Sequence, residues 1–136
     1  MEPLRASTHE VAVADRGDHL RITLTGYADF YSAPAVATAI ADALRRFGRS
    51  RALIDQRALA GGMSAAQAHW HGNDLPLWGA RPHERVALLD TPEQAPMCEL
   101  MARSAAERGL HQIRYFTDEA AALAWLRAAP AESPSS

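Results

Sequence analysis

The chain contains no lysine, and all 14 of its Lys and Arg positions are arginine. Schiff-base catalysis, a phosphate-loop lysine and the lysine of a receiver-type phosphorylation pocket each need a primary amine, so all three are excluded. Cys98 is the only cysteine, so no internal disulfide can form, and a reducing compartment is the expected setting. No apolar run approaches the roughly 18 residues that a membrane span requires. The opening MEPLRASTHE lacks the basic-then-apolar order of a signal peptide, so a cytoplasmic location is expected. A net charge of -2 with both signs interspersed leaves no electrostatic footprint for nucleic acid, and no motif calls for a cofactor.

What remains is the composition of a globular protein: 136 residues, 48% hydrophobic and 22% charged. That length suits one domain, expected over residues 9–129, with a loose N-terminus over 1–8 and a flexible tail over 130–136. HEVAVA reads as a short strand, DRGD as a turn with Gly17 free for a positive φ, and HLRITLT as a strand with Leu20, Ile22 and Leu24 on one face. Ser32 and Pro34 open a helix whose Val36, Ile40, Leu44 and Phe47 recur at helical spacing until Gly48 closes it. The Arg45, Arg46, Arg49 and Arg51 cluster then reads as a solvated helix end, favoured by the helix dipole, before an anion site.

RALID and ERVALLD are apolar enough for strands buried on both faces, ending at Asp55 and Asp90. Between them Ser64 and Gln67 form an S-x-x-Q capping box, and Gly72 and Pro76 limit the helix that follows, with a broken turn reaching Trp78. Thr91 and Pro92 begin another helix, with Met97, Leu100, Met101, Ser104 and Ala105 as its inward stripe and Cys98 beside it. HQIRYF supplies the last strand and Thr117 caps the last helix. The order is β-β-α-β-α-β-α-β-α. It predicts an α/β fold with a mixed, mostly parallel sheet of about five strands, an N-terminal hairpin and about four helices. Ligands in such sheets sit at the carboxyl ends of the parallel strands, where Tyr27, Asp29, Asp55, Gly61, Gly62, Ser64 and Asp90 are expected to gather.

The stretch ALIDQRALAGGMSAAQ, a strand with its Asp, a short loop and a serine at the next helix start, resembles the central element of STAS domains. The closing IRYFTDEAAALAWL is similar to the SpoIIAA-like branch, grouped with STAS and Sec14 folds, and the likeness in layout spans roughly residues 9 to 128. The resemblance implies a bacterial, non-enzymatic regulatory or binding domain that meets a protein partner. In its anti-anti-sigma members a kinase phosphorylates a serine at that helix start. Asp55 matches the strand-end acid, and Ser64 falls at or within one position of the phosphorylated serine. The chain departs from the common Asp-Ser-Ser-Gly turn, having Gly61, Gly62, Met63 and Ser64 there.

Several chemistries compete for the same residues. As a nucleophile Ser64 lacks a base, because His69 and His71 lie roughly 7 to 10 Å further up the helix axis. Its plain role is a helix cap worth about 1 kcal/mol. His71 and Asp74 share a helix face and make half of a metal site, as a metal-dependent enzyme would need, whereas His69 and His71 point apart. Met63, Trp70 and Trp78 belong either to the sheet-covering face or to an apolar pocket for a small lipid-like ligand, as in the lipid-carrying relatives. Asp90 has a plain explanation as a turn residue before Thr91, and Asp55 has none so simple.

Overall fold

A computed structural model describes residues 8–128. The N-terminus and tail expected to be loose lie, Thr8 apart, outside the described residues. The strands are β1 (Glu10–Asp15), β2 (Leu20–Asp29), β3 (Arg51–Gly62), β4 (Arg85–Leu89) and β5 (Ile113–Phe116). The helices are α1 (Ala33–Phe47), α2 (Ala65–Asp74), α3 (Ala95–Ala106) and α4 (Glu119–Arg127), with short 3-10 turns at Leu75–Trp78 and Pro92–Gln94. The element order is the one the periodicities predict. No helix among the described residues is long and apolar enough to cross a membrane.

The five strands stand in sequence order, β1 antiparallel to β2 and the rest parallel. A chain that steps always in one direction through parallel strands, with crossovers of one hand, must leave every crossover helix on one face. Val36, Ala43 and Leu44 of α1 and Cys98 of α3 accordingly share a core with Leu20, Ile22, Ala52, Ile54 and Leu88. The alternate strand residues Leu53, Ala87 and Leu89 face the other way and pack with Ala122 and Leu126 of α4. Leu20, Ile22, Leu53 and Leu89 are wholly buried, and each such side chain contributes about 1.5–3 kcal/mol.

Strand β3 does not end at Asp55 as its composition suggests. It runs on to Gly62, pairing residues 58–62 with 25–29 of β2 after a register shift. Strand β4 accompanies it only as far as Asp55. The extension is therefore a two-stranded ribbon overhanging the sheet, exposed on one edge, which is why it lacks the apolar run of a buried strand. Gly61 sits in it at φ +111°, and any Cβ there would strike the Ala28 carbonyl across the ribbon.

Local capping follows the sequence with two corrections. Gly48 closes α1 in the left-handed conformation, and Ser64 and Gln67 form both bonds of the capping box. Ser32 occupies the cap position of α1 without a capping bond, its hydroxyl turned back to Asp29. Asp118, not Thr117, caps α4 by accepting from the Ala121 amide. On α3 the most buried residues are Cys98, Ser104 and Ala105, so Cys98 lies within the inward face instead of beside it.

Helix α2 packs on α3 and on the 3-10 turn that follows it, and hardly touches the strands. Gly72 permits this: a Cβ there would collide with the Met101 carbonyl and press on Ser104. His69 is joined to the Ser104 hydroxyl at 2.7 Å, and the Asn73 amide donates to the Ser104 carbonyl at 2.9 Å. Gly72→Ala is expected to lower the unfolding free energy by about 1–3 kcal/mol through overpacking, although alanine gains about 1 kcal/mol in helix propensity. Urea unfolding measures it, and an unchanged or higher midpoint would contradict the close crossing.

Candidate functional site

Because α2 stands on α3, a cavity of 210 Å³ remains between the sheet and α1, α2 and α3. Its wall is apolar, with Leu24, Ile40, Ile54, Leu88 and Met101 among its lining. At the carboxyl edge it reaches the ribbon, where Gly61, Gly62 and Met63 take part. Its polar members include Gln56, Asp90 and His71. Gln56 follows Ile54 by two on β3 and so shares its face; its amide donates to Asp90 at 2.8 Å. Asp90 accepts also from the Thr91 amide at 2.7 Å and from the Cys98 thiol at 3.7 Å. His71 lines the same space from α2.

Burial governs the electrostatics here. It raises the Asp90 carboxyl above its ordinary value, against the hydrogen bonds from Thr91, Gln56 and Cys98. It also pushes the Cys98 thiol up to about 12, helped by the Asp90 charge, so this sulfur stays a protonated, inert thiol at neutral pH. Burial lowers His71 to about 4, the Asp74 charge opposing more weakly, so the imidazole is neutral. The ring stacks on Trp78 with centroids 5.2 Å apart. Among the buried side-chain nitrogen and oxygen atoms of the described residues, Nδ1 of His71 and Nδ1 of His9 have no hydrogen-bond partner.

The residues named from sequence divide into two sets. Asp29, Gly61, Gly62, Met63, Asp90 and His71 meet around the cavity. Asp29 also anchors the turn into α1, accepting from the Tyr31 and Ser32 amides. Asp55 does not join them, which corrects the expectation of a common rim with Ser64. It follows Leu53 on the α4 face of the sheet, where Arg21 and Arg57 bind its carboxylate at 2.7 and 2.9 Å and both reach Glu119 of α4. Tyr27, opposite Ala60 in the ribbon, alternates with the cavity-lining Ala28. Ser64 is exposed at the start of α2, next to Met63 but outside the lining.

Trp70 is 54% exposed and lies near Phe30, with ring centroids 6.3 Å apart, while Trp78 backs His71. His69 turns to α3 and His71 to the cavity, as their spacing on a helix requires. Among the described residues no group of three or more His, Cys, Asp or Glu side chains could hold a metal ion, so His71 and Asp74 gain no further ligand. Sequence reasoning missed Gln56 and Glu84, both in the lining. The parity of β3 places Gln56 on the face of Ile54, and that signal was available.

No model of a known protein family matches the chain, and no curated protein matches it. Solved structures do. An uncharacterized protein of the DUF3478 family with a SpoIIAA-like fold, from Shewanella loihica PV-4, is 23% identical over 93% of this chain and 99% of its own, with a TM-score of 0.56. An anti-sigma factor antagonist from Mycobacterium paratuberculosis is 17% identical over 88% of this chain and 95% of its own, with a TM-score of 0.52. The chain therefore has the SpoIIAA-like fold of STAS domains. At these identities the likeness is one of architecture.

The Asp55 network has a consequence for stability. Hydrogen bonds from the Arg57 guanidinium hold the Asp55 carboxyl below its ordinary range; burial opposes this, and the Arg57 amide and the charges of Arg57 and Arg21 add to it. A depressed acid contributes stability above its unfolded value of about 3.9, lost as pH falls through the folded value. The urea midpoint is thus expected to fall below about pH 4, and to fall less steeply in Asp55→Asn. Parallel acid profiles for the two proteins would show that Asp55 contributes nothing to this dependence.

Proposed function

We propose that this chain is a non-catalytic binding domain that takes a small apolar molecule into the cavity between its sheet and α1, α2 and α3. The observation that carries this reading is the 210 Å³ of apolar-walled space itself. Protein interiors are close-packed, and voids larger than a water molecule are few. Apolar cavities of about 150 Å³ stay dry and bind benzene or xenon. The nucleophile inventory supports a binding role. The Cys98 thiol is protonated, Ser64 is engaged as a cap, and Ser104, though bonded to His69, is 1% exposed and beyond the reach of a substrate.

Benzene, added to the protein up to its solubility, is expected to raise the melting temperature and to shift the methyl resonances of Leu24, Ile54, Leu88 and Met101 together. A flat melting temperature with no methyl shifts would remove the cavity as a ligand site.

A second reading has its own observation, the exposure of Ser64 at the start of α2 and of Tyr31 and Trp70, whose rings both lie near Phe30, with Tyr31 82% exposed. Exposed aromatics suit a protein contact, and the structural neighbour from Mycobacterium paratuberculosis is an anti-sigma factor antagonist, which fits a protein partner. A phosphate on Ser64 would gain from the α2 dipole and free amides while losing the cap bond from Gln67. Ser64→Asp is expected to change the set of proteins retained in a pull-down with the fold intact by circular dichroism. Identical retained sets would count against a switch at Ser64.

A further inference from the structure

We propose that the cavity holds an unbranched aliphatic diamine, with one ammonium group at Glu84, the other at Asp90, and the hydrocarbon chain along the apolar wall between them. The inference rests on the reading of the cavity as a ligand site and specifies what the apolar molecule carries at its ends.

Strand β4 sets the two ends. Glu84 precedes it and Asp90 follows it, so Glu84, Val86, Leu88 and Asp90 alternate onto one face. All four line the cavity. The row has a carboxylate at each end and hydrocarbon between, and from Glu84 to Asp90 it spans about 20 Å at a strand's rise of about 3.3 Å per residue. Its width is modest. A cavity of about 150 Å³ accommodates benzene, so 210 Å³ admits a single alkyl chain and not the two tails of a phospholipid.

The charge follows from what these acids lack. Buried carboxylates are almost never left without a cation. Among the described residues three acids are buried: Asp55 and Glu84, each 7% exposed, and Asp90, 6% exposed. Asp55, on the α4 face, holds Arg21 and Arg57. Neither Glu84 nor Asp90 takes part in an ion pair with a described residue. Glu84 Oε1 accepts from the Arg81 amide at 2.9 Å, and Asp90 has only the neutral donors of Gln56, Thr91 and Cys98. The upward shift of the Asp90 carboxyl by burial is the expected result of that deficit. No arginine lines the cavity, its one histidine is neutral, and its third acid, Asp29, adds to the same sign. An alkyl ammonium is protonated at neutral pH as the lysine side chain is. It supplies the missing charge and donates hydrogen bonds to the carboxylates.

The test titrates the full chain by calorimetry with the terminal diamines of octane and butane, octylamine, the terminal octanediol and octanedioate. Wild type is expected to bind the octane diamine about tenfold more tightly than octylamine or the diol, and octanedioate least. The butane diamine, too short to reach both acids, should bind no better than octylamine. In Glu84→Gln, and separately in Asp90→Asn, the octane diamine should weaken to the level of octylamine, with the diol within about twofold of wild type. In wild type, which needs no variant to fold, the side-chain carboxyl 13C resonances of Glu84 and Asp90 should both move with the octane diamine and stay with the diol. Diol binding as tight as that of the diamine, or tighter binding of octanedioate, overturns the ligand class. Diamine binding that ignores both substitutions, or leaves the two carboxyl resonances still, places it on surface acids and overturns the site. Equal binding of the two diamines overturns the two-ended fit. If none of these chains binds while benzene does, the inference falls and the cavity remains a ligand site; if benzene fails as well, both fall.

Discussion

The crossing of α2 over α3 at Gly72 is the constraint on which the rest depends. With no Cβ at that position the two backbones approach until the Met101 carbonyl lies against Gly72, and Ser104 is clasped by His69 and Asn73. A helix joined so firmly to its neighbour cannot also settle onto the sheet. Ala68, His71 and Leu75 of the α2 segment therefore face space that the apolar strand residues Ile54 and Leu88 do not fill. Packing would ordinarily close such a gap, since every unfilled contact forfeits dispersion energy. Here the helix pair is satisfied among its own members, and the gap persists as a cavity.

The two faces of the sheet then have separate tasks. On the α4 face, Leu53 and Leu89 pack with Leu126, and the Arg21, Asp55, Arg57 and Glu119 network ties β2 and β3 to the start of α4. That side is closed. On the other face the Asp90, Gln56 and Cys98 cluster satisfies itself at the wall, and Nδ1 of His71 is buried without a hydrogen-bond partner. The overhanging ribbon of β2 and β3 continues the open face beyond the last residue of β4, and brings Gly61 and Gly62 to the mouth and Ser64 just outside it. A ligand inside and a protein contact at the start of α2 would thus share the segment from Gly61 to Ser64, a route by which one could report on the other.

Much of the fold was legible because it follows from short-range periodicity. The alternation of Leu20, Ile22 and Leu24, the helical spacing of Val36, Ile40 and Leu44, and the Ser64 to Gln67 box each carry their own signal. The site was legible only in part. Reading β3 as ending at Asp55 merged two faces of one strand, because the ribbon that continues it is open on one edge and sets a single half-buried Leu59 among exposed residues, leaving no apolar run. A single residue of parity separates Asp55, locked in ion pairs, from Gln56, in the cavity wall. The histidines were read for metal, yet what distinguishes them is which neighbour each meets: Ser104 for His69, empty space and Trp78 for His71. Such contacts depend on the α2–α3 crossing, a long-range fact that residue spacing does not encode.

The most direct measurement of whether α2 is held away from the sheet is a crystal structure of the protein under xenon pressure, because xenon enters apolar cavities without requiring a specific chemical partner. The account predicts an anomalous peak bounded by Ile54, Leu88 and Met101, with the Gly72 to Met101 approach intact. A structure with no xenon there, in which α2 has moved onto the strands and the side chains of its inner face fill the space, would contradict it.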